Sequence, residues 1–336
     1  MKLRYYVTTR LLLAIPTIAL LLATIFFIMH ILPGDPITIM YGEQFPTVYV
    51  ERIRHNLGLD RPIYEQFITY VSKLAKGDLG VSLVYKIPVI EKVRQVYPTT
   101  VELALSGLIL ATLIGLPLGI LAAIKRDSIF DHVTRFLTLY IHSNPGFWIA
   151  LLFQIFFGLM LGWLPISGRS PPIGFYLQRI TGLHVIDSIL TVNFTALIQS
   201  LTYLFLPSFT IAITSVPTLS RLSRAAMLNV LGEDYIVTAR AKGLPMRVIT
   251  FKHAMRNALL PVITSIGGTF TWLLGGTVIT EKIFSFPGLG SLLMDSLMAR
   301  DFTMIQGIVA IYAVIVVIMN TLIDIVYALA DPRVNY

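Results

Sequence analysis

The chain has no cysteine among its 336 residues. That excludes a disulfide framework, thiolate metal sites and a thiol nucleophile. Charge is scarce as well: 13% of the residues are Asp, Glu, Lys or Arg, against roughly 25% in ordinary soluble domains. Asn and Gln are rare, at seven each, and together with missing Cys this is a compositional trend of thermophilic proteins. Several chemical signatures are missing too. There is no G-x-x-x-x-G-K-[ST] phosphate loop, so nucleotide hydrolysis by that route is excluded. There is no H-E-x-x-H pair and no nucleophile elbow. The six histidines, at 30, 55, 132, 142, 184 and 253, are scattered, which speaks against a metal cluster.

What remains is apolar. Hydrophobic residues make up 55% of the chain and the mean hydropathy is +0.76. So little polar surface cannot cover a protein of this size in water, so the apolar surface must face lipid. Windows without formal charge, long enough for a span of about 20 residues, occur at 11–31, 103–124, 136–164, 194–220, 257–280 and 302–323. The third and fourth exceed one span and have room for tilt or for an interfacial turn such as Asn144-Pro145-Gly146. Lys2, Arg4 and Arg10 precede the first window as the n-region of a signal peptide would. The run is longer than a signal h-region and no small-x-small site follows, so it is expected to stay as a helix.

Charge sets the orientation. Fourteen of the 26 Lys and Arg fall in 1–10, 125–135, 221–256 and 324–336, which places these segments and both termini in the cytoplasm. The net charge of +8 then reads as this cytoplasmic flank rather than as a nucleic-acid surface. The expected fold is an all-α integral membrane protein with six transmembrane helices, multi-pass in the cell inner membrane. It divides into a cytoplasmic N-terminus and first helix (1–31), an extracytoplasmic cap (32–102) and a five-helix core (103–336) containing the cytoplasmic loop 221–256. Within the cap, 52–57 and 64–74 show helical apolar spacing. Asp324, one turn after Asn320, is the sole acidic candidate inside a span, and lies close enough to the inner end to reach water. The lack of mid-membrane carboxylates argues against a proton- or sodium-coupled transporter.

The loop from Ser220 to Pro261 carries the most information. Glu233 and Asp234 open a short helix where carboxylates complement the positive end. Arg240 and Lys242 fall in the last turn, Gly243 supplies a left-handed cap and Pro245 blocks continuation. Tyr235, Thr238 and Ala239 fall on one face, and the small residues Ala239, Ala241 and Gly243 permit close docking. An isolated cytoplasmic helix is thus encoded between two spans. The plain alternative is an amphipathic connector lying on the membrane, for which the stretch is too basic and too weakly apolar. Lys252, His253 and Arg256 form a basic flank at the inner start of the fifth span, open to an anionic lipid or a protein partner.

The run A-R-A-K-G-L-P at 239–245, followed by H-A-M-R-N-A-L-L-P at 253–261, resembles the EAA loop of ATP-binding cassette (ABC) importer permeases. The di/oligopeptide group, which also holds nickel and some archaeal oligosaccharide systems, is the nearest likeness. L-P-G-D-P at 32–36, G-D-L-G-V-S at 77–82, Y-P-T-T-V-E-L at 97–103 and F-S-F-P-G-L-G at 284–290 agree with that group in order and spacing. The general Glu-Ala-Ala positions read Val237, Thr238 and Ala239 here, a departure shared by the peptide subgroup.

The resemblance implies a type I importer permease bundle that binds no cofactor itself, with ATP and Mg used by two ATP-binding subunits. It implies a second homologous permease and an extracytoplasmic solute-binding protein as further partners. Asp234, Tyr235, Thr238, Ala239, Arg240, Ala241, Lys242, Gly243, Leu244 and Pro245 are then the ATPase-coupling residues. Phe284, Phe286 and Leu289, read as partly exposed beside the Pro287-Gly288 turn, are candidate contacts for the binding protein. Ser265, Gly268, Trp272 and Gly275 are candidate pathway residues of the fifth span, where small side chains also permit ordinary helix packing. The substrates implied are oligopeptides or short oligosaccharides, with nickel a third choice. A self-contained channel or secondary transporter and an intramembrane enzyme are the competing classes.

Overall fold

The computed structural model describes residues 3–31, 47–58 and 60–330; the 32–36 motif and residues 331–336 lie outside them. The described chain is helical, and its one β-type pairing is an isolated bridge between Val81 and Pro88. Helix α1 (Leu3–Ile31) is followed by α2 (Thr47–Leu57) and α3 (Ile63–Ala75), the two helices expected in the cap. Phe26 of α1 packs its ring 5.3 Å from Phe67 and 5.6 Å from Tyr70 of α3. Helix α4 (Val89–Ile124) begins well before residue 103, so the division between cap and core falls inside a helix.

Helices α5 (Ile129–Ser143) and α6 (Gly146–Phe153, continued as a π-helical turn to Met160) meet at 100°. Pro145 causes the break. A residue before proline is driven out of the α region, and Asn144 is extended at φ −99°, ψ 140°. Of the two readings of the overlong third window, tilt or a turn at Asn144-Pro145-Gly146, the structure has the turn. Helix α7 (His184–Leu190) leads into α8 (Phe194–Leu231), and α9 (Asp234–Ala241) follows it. After a π-helical turn come α10 (Met255–Gly276), α11 (Val278–Ile283), α12 (Leu289–Met298) and α13 (Phe302–Ala330). Among the described residues, four stretches are apolar and long enough to span a membrane: α4, α8, 246–276 and 302–325. The α5–α6 pair passes the same length and composition test only when its two bent halves are taken together as one span, and α1 holds a shorter apolar segment, Ile15–Ile28, where the first span was expected.

The bundle is organised on α4 and α8, which pack along their lengths. The cause is legible in α4: Gly107, Ala111, Gly115, Gly119 and Ala123 recur at every fourth position and so share one face. Small residues in this rhythm let membrane helices approach closely. A Cβ at Gly107 would lie 2.6 Å from Ile211, and one at Gly119 would lie 2.0 Å from Ser223 Oγ and 2.2 Å from the Ser220 carbonyl oxygen. Gly119→Ala is therefore expected to destabilise the bundle by about 1–3 kcal/mol or more, the usual scale of overpacking, because backbone cannot step aside. Gly268→Ala, whose Cβ meets nothing within 4 Å, is the matched control. Melting of the purified protein in detergent should fall for the first and not for the second; equal melting would contradict the packing.

Helix α5 is turned inside out relative to a soluble helix. It buries Asp131, Thr134 and Thr138 and exposes Ile129, Val133, Phe136 and Tyr140. That is the arrangement lipid favours. Asp131 accepts from Arg224 Nε and Nη2 of α8, both at 2.7 Å.

Candidate functional site

Helix α9 forms as the sequence predicts. Glu233 is its N-cap in extended conformation, and Asp234 opens the first turn. At the other end the Gly243 N–H donates to the Arg240 carbonyl at 2.9 Å and the Leu244 N–H to the Ala239 carbonyl at 3.3 Å. This pair of bonds is a Schellman closure, which needs a left-handed residue after the cap. Gly243 supplies it at φ +75°.

The helix is anchored from beneath. Ile236 and Ala239 are buried and join Ile120 and Ala123 of α4, Ala226 and Met227 of α8, Ile249 and Ala254 of the π-helical turn, and Ala258 and Val262 of α10. One small core thus ties the cytoplasmic ends of three long helices to α9. A second tie is polar: Asn257 Nδ2 donates to Tyr235 Oη at 2.8 Å. Asp234, Tyr235, Thr238, Arg240, Ala241, Lys242, Gly243, Leu244 and Pro245 remain exposed. Ala239 does not: it faces the bundle, so its place among the outward coupling residues is corrected. Ile236, three residues earlier on the same face, is the anchor that the sequence reading passed over.

Helix α10 presents a second exposed strip. Ser265 is half-buried, while Gly268, Trp272 and Gly275 are exposed, with Trp272 at 67%. A Cβ at Gly268 or Gly275 would meet nothing within 4 Å, so neither glycine serves packing within this chain. Gly267, by contrast, lies against Ile323 of α13. The structure therefore separates the small residues of this helix into a packing position and an open strip.

The extracytoplasmic candidates are overturned. Phe284, Phe286 and Leu289 are 1%, 0% and 0% exposed. The turn that carries them is folded around the buried Glu281 carboxylate. Its Oε1 accepts from Thr100 Oγ1 at 2.8 Å and Thr277 Oγ1 at 3.0 Å, and its Oε2 accepts from the Ser291 N–H at 2.9 Å. The Thr100 hydroxyl in turn accepts from the Leu289 N–H at 2.8 Å. The Pro287-Gly288 turn wraps tightly over this carboxylate, where a Cβ on Gly288 would fall 2.3 Å from Oε2. Burial pushes the Glu281 carboxyl up, against the pull of its donors. The two aromatic rings then close over Leu103, Leu204 and Leu273 in the central core. They are packing residues, not a docking surface.

Comparison with known proteins places this geometry. Residues 115–336 match the family described as the binding-protein-dependent transport system inner membrane component, and residues 2–104 match its N-terminal part. The chain belongs to this family. It is a permease of an ABC importer, with the type I permease fold, and a multi-pass protein of the cell inner membrane. It is 38% identical over 333 residues to the di/tripeptide transport system permease protein DppB of Pseudomonas aeruginosa, covering 98% of each chain. It is 38% identical over 335 residues to the dipeptide transport system permease protein DppB of Escherichia coli, again 98% of each. It is 34% identical over 331 residues to the glutathione transport system permease protein GsiC of Escherichia coli, covering 98% of this chain and 99% of the other. These relatives are permease subunits rather than enzymes.

Proposed function

We propose that this permease forms half of the translocation pathway of an importer for short peptides, driven by two separate ATP-binding subunits that use ATP and Mg. Both termini lie in the cytoplasm, where α9 seats in a groove of an ATPase. The observation that carries this reading is the two-sidedness of α9. Its inner face is welded to α4, α8 and α10 through Ile236 and Ala239, and its outer face is free. A push on the outer face moves three spans as a body, which suits a hinge or rocking transition. A second homologous permease completes the pathway, with the open strip of Ser265, Gly268, Trp272 and Gly275 turned toward the shared interior. A solute-binding protein delivers substrate outside. Peptides are favoured over oligosaccharides and nickel because the relatives are named for dipeptides, tripeptides and glutathione.

Lys242 tests the docking. It stands at the negative end of α9, exposed to the partner. Lys242→Glu is expected to weaken ATPase association several-fold at low ionic strength and much less in high salt, where charge contacts are screened. Association of the detergent-solubilised subunits, followed by light scattering across a salt series, measures it. Unchanged association at low salt would remove Lys242 from the contact.

A further inference from the structure

At the opposite end of α8 from α9, the loop 161–193 is built to a specification that the transport reading does not use. It is fastened to the scaffold at many points. The Gly168 N–H donates to the Phe284 carbonyl at 2.8 Å. Arg169 Nη1 donates to Thr99 Oγ1 at 2.8 Å, and its Nε and Nη2 to Glu102 Oε2. Arg179 Nη2 donates to the carbonyls of Arg94 and Gln95, and Asn193 Nδ2 to the Tyr176 carbonyl. Despite this anchoring, Ile173 and Tyr176 at its tip are 89% and 82% exposed. A loop held this firmly has already lost its conformational entropy, so it can present apolar groups to a partner at little further cost.

Beneath the tip lies a cavity of about 90 Å³ lined by Arg169, Phe175, Leu177, Arg179, Gly182, His184 and Asp187. That volume holds several water-sized groups. Its charge is one-sided in availability. Arg169 is matched by Glu102. Asp187 has both oxygens filled by Thr181 N–H, Thr181 Oγ–H, Ile180 N–H and Gly182 N–H, and burial, though it opposes the charge, is outweighed by these donors. Arg179 has no carboxylate within ion-pair distance among the described residues. His184, its ring centroid 5.0 Å from that of Phe175, has its Nδ1 buried without a partner. Residues 161–186 contain no Asp or Glu. A buried imidazole nitrogen without a partner and, at the same cavity, an exposed guanidinium paired with carbonyls but with no carboxylate are what an incoming carboxylate would satisfy.

We propose that this loop is a docking site for the solute-binding protein, which lays an apolar contact on Ile173 and Tyr176 and inserts an Asp or Glu side chain between Arg179 and His184. The proposal rests on the importer reading above and replaces the refuted contacts at Phe284, Phe286 and Leu289. Burial holds the His184 imidazole down at about 4, so it is neutral before docking, and docking requires the tautomer with its proton on Nδ1, which donates to the carboxylate.

The test uses the complete importer, with both permeases and both ATPases, in nanodiscs with its binding protein. ATPase stimulation is titrated against binding-protein concentration at two ionic strengths. Arg179→Glu should raise the half-stimulating concentration by roughly tenfold or more and flatten its salt dependence, while the rate at saturating binding protein stays at the wild-type level. Because Arg179 also braces the loop, a second arm leaves it untouched: benzoylphenylalanine in place of Tyr176 should photo-crosslink to the binding protein. Changing to Lys the acidic residue mapped next to that adduct should restore docking to the Arg179→Glu variant. An unaltered half-stimulating concentration, or Tyr176 adducts with lipid or the second permease alone, would overturn the docking site. Absence of any stimulation in the wild-type complex would instead defeat the importer reading itself.

Discussion

Replacing Gly243 with Trp is expected to abolish uptake while the protein still inserts and folds. The prediction separates two costs. A Cβ at Gly243 meets nothing within 4 Å, so the new side chain leaves an exposed helix end without a clash at its root. The left-handed backbone at φ +75° adds a penalty of about 1–2 kcal/mol, confined to the end of an exposed helix. The large effect arises outside the chain, where an indole would stand in the ATPase groove. A misfit of about 3 kcal/mol, typical of an overfilled packed site, lowers occupancy roughly a hundredfold. Gly243→Asn distinguishes strain from bulk, since Asn tolerates the left-handed region. Proteoliposome uptake measured beside ATP hydrolysis should show the Trp variant uncoupled and the Asn variant mostly active. Normal uptake by the Trp variant would refute the role given to α9.

Asp131→Ala is expected to have the largest effect on stability. Its side chain is fully buried, and it pairs with an Arg224 side chain that is 20% exposed. Removing one member of a buried pair usually costs about 3–5 kcal/mol because the other charge is stranded. Arg135 also approaches Asp131 at 3.6 Å but is much more exposed, so Arg224 bears most of the loss. Some of its guanidinium reaches water, which places the effect near the lower end of that range. Replacing both partners with apolar residues, Asp131→Leu with Arg224→Met, should recover most of the stability. A thermal double-mutant cycle in detergent provides the measurement. If the double variant were as unstable as the sum of the singles, the pair would not be acting as a unit.

The same pair shows why α5 was only half legible. Its apolar residues read as membrane, and Pro145 marked the break. Nothing local told that Asp131 would meet Arg224, 93 positions away. Helix α9 was legible at its ends, because Glu233-Asp234 and Gly243-x-Pro245 act through backbone rules that need no tertiary partner. Its inner face was not. Eight residues give too few turns for periodicity to tell the side that docks inward from the side that docks outward, and Ala239 was assigned to the wrong one. Phe284 and Phe286 misled for a related reason. Aromatics beside a Pro-Gly turn look exposed, and the core that takes them in, with Leu103, Leu204 and Leu273, is assembled from three separate elements. The four-residue rhythm of small residues in α4 is by contrast a purely local sequence pattern, and it sets the close approach of α4 to α8.

Placing a photo-crosslinker at Thr238 in the reconstituted importer tests the central claim most directly. Thr238 lies on the outer face of α9, and Ile236 on the inner. A crosslinker at Thr238 should yield an adduct with the ATP-binding subunit whose yield changes when ATP is bound, and one at Ile236 should yield only bonds within this chain. No ATPase adduct from Thr238, in a complex that still transports, would contradict the claim that α9 carries the motion of the ATPases to the membrane.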